Sequence, residues 1–375
     1  MRFCVIGAGS GGRAFAAYLS SKGQSVSLYN RSYSRISEIQ QKGGIEVSGE
    51  LQGFFPISLI TQNMRLAVKN ADIILVVTPA FAHKEIALKI APFLKNGQIV
   101  ILNPGRTFGA VEFLRNIEKI RGKIPIFVGE TQTLLFTARA LEENRVNIIK
   151  IKNSVNFSTF PDKYSDLIWE ILNEFFPQFI PIEDYLEVTL NNIGMLIHPA
   201  LSLFNAGPID YGKNFKFYKE GATPQICQVL EQIEIELNEI FQCLGLRQLR
   251  YEKWAKKCYG INANCIHDTI QQIEAYKDIN APNHLITRYF TEDIPTGLVA
   301  IASLGQFLGI KTPTIDAIIH LSSIICGTNF LKDGRTIERL KLENYIKARI
   351  NREKYLTEEL IFNFERNLRT SEDDI

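Results

Sequence analysis

The stretch CVIGAGSGGRAFAAYL, residues 4–19, places Gly7, Gly9 and Gly12 in G-x-G-x-x-G spacing. An apolar run, Phe3 to Ile6, leads into it, and a helix-forming run follows it. In that setting the first glycine allows a tight turn, the second admits a pyrophosphate against the backbone, and the third lets helix and strand pack closely. Unpaired N–H groups at the helix start, with the helix dipole behind them, then favour phosphate. A glycine-rich turn is the alternative, but strand, helix and a second strand all fall in the order dinucleotide binding requires.

Further apolar runs follow at Val26 to Tyr29, Ile73 to Val77, Ile99 to Leu102, Ile124 to Val128 and Val146 to Ile151. Their spacing leaves room for helices between them, as a parallel sheet covered on both faces requires. The expected fold is therefore α/β, a doubly wound Rossmann sheet over residues 1–180. At the end of the second run stand Asn30, Arg31 and Ser32, with Arg35 one turn on, where NAD enzymes usually keep an acid. Arg31 and Ser32 can bond a 2′-phosphate that an acid would repel, which favours NADP over NAD. Arg31 and Arg35 can also be read as solvated helix-face charges. Two later loops, Thr78-Pro79 and the stretch from Asn103 to Thr107, lie beyond strand ends, where open sheets bind ligands. Either could equally be ordinary turn chemistry.

The chain has 375 residues, 46% hydrophobic and 22% charged, enough for two cores. Lys plus Arg number 42 against 40 Asp plus Glu, a balance that offers no basic field for nucleic acid. Six scattered cysteines have no metal-ligand or C-x-x-C spacing, and read as reduced thiols of a cytoplasmic protein. No leader precedes the first strand and no apolar run approaches the roughly 18 residues that span a bilayer, so neither export nor a membrane is expected.

From about Asp184 long helical periods take over. Thr223-Pro224 reads as a helix start, apolar residues recur from Ile226 to Phe241, and Gly245 marks a stop. Thr312-Pro313 opens another helix in the same way. An all-helical domain is expected over residues 181–345, followed at 346–375 by a charged amphipathic helix and frayed acidic tail. Within the helical part, Asn191, Gly194, His198, Ser202 and Asn205 recur at spacings of three and four, a polar or small stripe on an apolar helix, with Pro199 beside the histidine. His198 could be an acid/base or a satisfied core histidine. His83, His267, His284 and His320 have less polar support. Residues 288–297 read as a loop ahead of a helix beginning near Leu298. There Arg288 could grip a carboxylate and Asp293 could orient a histidine, or both could be surface ion-pair residues.

GAGSGG at the N-terminus, LNPGRTFGAVEF, ETQTLLFTAR, NNIGMLIHPALSLFNAG, FYKEGATP, RYFTEDIPTGLV and GRTIERL occur in that order from residue 7 to about 340. Together they resemble the octopine/nopaline (opine) dehydrogenase family. The resemblance implies a reductive condensation in which an α-keto acid and the amino group of an amino acid form an imine, to which NAD(P)H delivers hydride. It implies His198 as acid/base, Asp293 as its partner, Arg288 on a substrate carboxylate, and Gln132 of the ETQT segment in the keto-acid pocket, with Asn192 as a weaker substrate contact. Where some members carry an additional Asn one turn before the histidine, this chain has Gly194, to which no role is assigned. The expected partners are the two small substrates, with no nucleic acid and no membrane; a homodimer stays open. Two rivals remain. One is a two-domain reductase resembling ketopantoate reductase, which would use a Lys that residues 185–211 do not offer. The other is a non-catalytic NADP-binding sensor.

Overall fold

The computed structural model describes residues 1–141 and 144–350. It divides into two compact units, one holding Met1–Gly105 and Gly109–Val188, the other Arg106–Phe108 and the described chain from Thr189 onward.

The first unit is built on an eight-stranded sheet. In chain order its strands are β1 (Arg2–Ile6), β2 (Ser25–Tyr29), β5 (Leu59–Thr61), β6 (Ile73–Val76), β7 (Ile99–Leu102), β8 (Phe127–Thr131), β11 (Val155–Phe160) and β12 (Phe179–Pro181). The spatial order is β12-β11-β8-β7-β6-β1-β2-β5. All neighbours are parallel except β11 against β8. The central strands β6 and β7 are buried along their whole length, which is why their sequences are unbroken Ile, Leu and Val. On one face, Phe3 meets Phe175 edge-on at 5.0 Å and Phe15 meets Phe136 at 4.7 Å, so an aromatic layer fills the core beside the glycine turn.

Two expectations need correction. The strand expected at Ile124 to Val128 begins instead at Phe127, because Pro125 has no N–H for the ladder and pairing with β7 starts at Ile99. Val146 to Ile151 falls in β10 (Arg145–Ile151), which belongs to a separate four-stranded sheet with β3 (Gly44–Gly49), β4 (Gly53–Pro56) and β9 (Phe136–Ala140). Its burial begins by alternating along the strand instead of running solid, as a sheet with one covered face requires.

The first unit also runs past residue 180. β12 extends the sheet beyond β11, and the hydroxyl of Tyr185 donates to Glu130 Oε2 at 3.2 Å.

Apart from one isolated bridge, the described residues of the second unit form helices and turns. Thr223 caps the helix Pro224–Cys243 through its side chain, and Gly245 follows that helix at φ +63°, in the left-handed region. Thr312 precedes the helix Pro313–Cys326, but the cap comes from Glu236, whose carboxylate accepts the N–H groups of Thr314 and Ile315. The loop expected at residues 288–297 is helical. Thr287 caps a short helix, Arg288–Thr291, and a wide turn, Ile294–Leu298, leads into the helix Val299–Leu308. Pro295 sits in the first turn of that wide element, where a missing N–H costs nothing. Residues 346–350 finish the helix Glu343–Ile350, and the rest of the expected tail lies outside the described residues. No described helix is long and apolar enough to cross a membrane.

Candidate active site

The nucleotide end of the first unit is shaped by absent side chains. A Cβ on Gly12 would stand 1.7 Å from the carbonyl oxygen of Gly7, and Gly7 itself takes φ +110°. Gly9 precedes the helix Ser10–Ser21; a Cβ there would meet only open space, and no side chain caps that helix. The first-turn N–H groups are therefore left without a side-chain cap, a fit for a dinucleotide pyrophosphate. Thr78, beyond β6, adds a hydroxyl oxygen that is buried without a hydrogen-bond partner. It is a buried polar atom that its protein surroundings leave without a partner.

Asn30 turns inward. Its Oδ1 accepts the N–H of Ala8 at 3.0 Å and its Nδ2 donates to the carbonyl of Ser32, so it braces the glycine turn. Arg31 is largely exposed and ion-paired with Glu85 at 3.1 Å. Ser32 precedes a short turn, Tyr33–Arg35, without capping it through its side chain. Pro79 opens the turn Ala80–Ala82, and Asn103 is buried with its Oδ1 accepting from Thr131. Arg13, inside the glycine motif, has a part that the motif's spacing does not signal. This buried arginine donates to the carbonyls of Ala8, Arg35 and Arg145, tying the glycine turn to its surroundings.

In the second unit, His198 lies midway along the helix Ile193–Phe204. Its Nδ1 is 2.7 Å from Asp293 Oδ2, and its Nε2 is 3.0 Å from the hydroxyl of Tyr218. The ring of Tyr289 stacks on the imidazole at 4.4 Å, and Phe217 stacks on Tyr289 in turn. Asp293 is fully buried. Burial alone would raise its carboxyl, but Arg106, His198 and Arg288 overcome that and hold it below the usual carboxylate range. The Arg106 guanidinium forms a 3.1 Å hydrogen bond with Glu292 and a 3.2 Å contact with Asp293 that is ionic, not a hydrogen bond. Burial works against its charge, and the two acids more than restore it.

Four segments, around residues 107, 189–192, 296 and 335, hold this arrangement. Thr107 donates its N–H to the carbonyl of Thr296, Arg335 donates to the carbonyl of Thr107, and Phe108 donates its N–H to Thr189 Oγ1. Asn192 caps the histidine helix through Oδ1, which also accepts from Arg106, while its Nδ2 donates to Thr107. Arg288 is exposed and lies over the ring of Tyr289. Of the expected polar stripe, Gly194 and His198 face Asp293. Asn191 precedes the helix and bonds the backbone of Arg247 and Leu249, Asn205 bonds the carbonyls of Leu201 and Gly221, and Ser202 is buried. Gln132 belongs to the first unit, where it is buried and its N–H donates to the carbonyl of Asn156. Neighbouring Glu130 accepts from the N–H of Ala110 and anchors a helix start.

Arg106, Glu292 and Tyr218 were missed as site residues although the motifs contain all three. In the sequence Arg106 reads as part of a turn; in the fold it takes φ +61°, an uncommon conformation for a non-glycine residue.

A Rossmann sheet with an open glycine turn, and a helical unit carrying a histidine held by an ionised acid, define an NAD(P)-dependent oxidoreductase. Comparison with known proteins narrows this. Residues 181–326 match the family described as NAD/NADP octopine/nopaline dehydrogenase, alpha-helical domain, and residues 3–158 match the ketopantoate reductase PanE/ApbA family. An opine dehydrogenase of Arthrobacter sp. (strain 1C) is 39% identical over 93% of this chain and 97% of its own length. The fold matches octopine dehydrogenase solved with NADH and L-arginine at a TM-score of 0.73, with 18% identity over 95% of this chain and 99% of that one. It also matches NADP+-bound yersinopine dehydrogenase at 0.71, with 14% identity over 94% and 99%. The chain belongs to the opine dehydrogenase family.

Proposed function

We propose that the chain catalyses the NAD(P)H-dependent reductive condensation of an α-keto acid with the amino group of an amino acid, and the reverse oxidation, with His198 and Asp293 as the proton-transfer pair. The observation that carries this reading is the 2.7 Å contact between His198 Nδ1 and the fully buried Asp293 carboxylate, whose other oxygen lies 3.2 Å from the Arg106 guanidinium. The nicotinamide, when bound, supplies the hydride that reduces the imine carbon. Gly7, Gly9, Gly12, Thr78 and Pro79 would hold the cofactor, with Asn30 and Asn103 bracing the loops around it.

Condensation to the iminium takes two protons from the ammonium nitrogen of the amino acid and delivers two to the oxygen that departs as water. An imidazole whose Nδ1–H is fixed on a carboxylate exchanges protons at Nε2, and can serve both steps. In this structure the Tyr218 hydroxyl meets that nitrogen, so it occupies the place of a substrate oxygen or passes the proton on. Arg288, exposed and close enough for its charge to act on Asp293, is the candidate grip for a substrate carboxylate. Gln132 is the candidate on the keto-acid side. Asn192, with both side-chain atoms engaged inside the protein, belongs to the framework in this reading.

NADP remains the expected preference because no acid follows β2 and Arg31 is within reach of solvent. Its pairing with Glu85 must be exchanged for a phosphate, which makes the preference modest. A cytoplasmic setting completes the reading. The test is His198→Ala. Turnover should fall by roughly 10²- to 10⁴-fold while cofactor affinity stays near that of the unmutated protein. Wild-type turnover would demote His198 to a core residue.

A further inference from the structure

We propose that Arg106 is a positioning residue of the His198–Asp293 pair: held over Gly194, its guanidinium orients the Asp293 carboxylate and sets the pH at which the pair releases its proton. This rests on the reading of that pair as the proton-transfer centre.

Three observations carry the proposal. First, the carboxylate of Asp293 is divided between two partners, Oδ2 on His198 Nδ1 and Oδ1 on Arg106 Nη1. A carboxylate hydrogen-bonded at one oxygen and held by a cation at the other is restrained in its rotation, so the Nδ1–H of His198 has a favoured direction in which to point. Second, the guanidinium is itself immobilised. Its side chain is about one-tenth exposed, Nε bonds Glu292 and Nη1 reaches Asn192 Oδ1, so two anchors besides Asp293 fix it. Third, the histidine helix is cut away to admit it. A Cβ on Gly194 would stand 2.0 Å from Arg106 Nη1 and 2.7 Å from Asp293 Oδ1. Gly194 lies four residues, about one turn, before His198, so this gap and the imidazole share one helix face.

The groups facing the pair are few among the described residues. Tyr218 and Tyr289 touch the imidazole, while Arg106, Glu292 and the more distant Arg288 bear on Asp293. Arg106 is the cation that touches Asp293 directly. Whichever member of the pair carries the shared proton, removing a neighbouring positive charge raises the pair's affinity for it. The last proton then leaves at higher pH.

The test uses the full chain with isotope-labelled histidine. With only five histidines, the His198 ring signals can be assigned by their loss in His198→Gln. In Arg106→Met the midpoint of the His198 signals, and the matching limb of the turnover profile, should rise by about one to three pH units. Cofactor affinity should stay unchanged. Arg106→Lys keeps the charge and loses the fork, so the midpoint should return toward the wild-type value while turnover stays reduced. If Arg106→Met does not fold, Gly194→Ala wedges the guanidinium away without removing it, and should move the midpoint in the same direction. Folded Arg106→Met, or Gly194→Ala in its place, with the wild-type midpoint and pH limb would overturn the proposal. Wild-type turnover in His198→Gln would instead sink the proton-transfer reading, whatever the midpoints do.

Discussion

Replacing Asp293 with Asn conserves the volume of a fully buried side chain and removes one negative charge 2.7 Å from His198 Nδ1. Two consequences act together. The protonated imidazole loses its counter-charge, and the Arg106 guanidinium, 3.2 Å from the same side chain, keeps Glu292 alone as a touching acid, so its repulsion of a second cation is less screened. A carboxylate at this range moves a neighbour's titration by about 1 to 3 pH units, and each unit is worth about 1.4 kcal/mol. The direction follows from the sign of the lost charge. Without Asp293 the imidazole is harder to protonate, so the His198 limb of the turnover profile moves toward acid, opposite to the movement expected for Arg106→Met. An Asn amide can also present an N–H to Nδ1, which drives the proton to Nε2 and leaves the wrong tautomer facing the substrate. Turnover should therefore fall by roughly 10²- to 10⁴-fold. Steady-state oxidation of NAD(P)H followed across pH measures both effects. An Asp293→Asn protein that folds, binds cofactor, and keeps its pH limb and turnover within about twofold of the unmutated protein would refute the reasoning.

Arg31→Ala should narrow the preference for NADPH over NADH by about tenfold or less, because the arginine is exposed and already shared with Glu85; dissociation constants that favour NADH in the unmutated protein would reverse the assignment. Arg288→Lys keeps the charge but not the planar fork, so the KM of one carboxylate substrate should rise more than that of the cofactor, and equal changes in both would remove Arg288 from the substrate site. Glu234, whose carboxylate accepts the N–H of Tyr251, is pushed up by burial to about 7. The native state thus holds a proton there that the unfolded chain releases near pH 4.5, and stability from this group is lost as pH rises between those values. Thermal melts of Glu234→Gln should show a flatter pH dependence across that window; an unchanged slope would mean the carboxyl is not perturbed.

Much of the fold could be read from the chain because the decisive signals are local. The glycine spacing at residues 7–12 and the solid apolar runs of β6 and β7 report burial directly, and the Thr-Pro and Gly punctuation of the helix Pro224–Cys243 reports its ends. Where the reading failed, the deciding contact was distant in sequence. β10 alternates in burial at its start because its partners are β3 and β9, and nothing within residues 145–151 names those partners. The segment 288–297 contains Pro295 and Gly297, which suggest a loop, yet the Thr287 cap and the wide turn after Asp293 make it helical. The site shows the same division. The family motifs carried His198, Asp293 and Arg288, while Arg106 required a contact between residues 106 and 293 that no spacing rule reaches. Gly194 looked like a missing side chain and is the space the guanidinium uses.

Oxidation of NADPH and of NADH, screened over α-keto acids crossed with amino acids and followed by mass spectrometry of each product, separates imine reduction from plain ketone reduction. The unmutated protein should consume cofactor only when both substrates are present, and should yield a secondary amine joining the two carbon skeletons through a new C–N bond. His198→Ala should lose that product while still binding cofactor. Consumption of cofactor by a keto acid alone, giving a hydroxy acid with no C–N bond formed, would contradict the account.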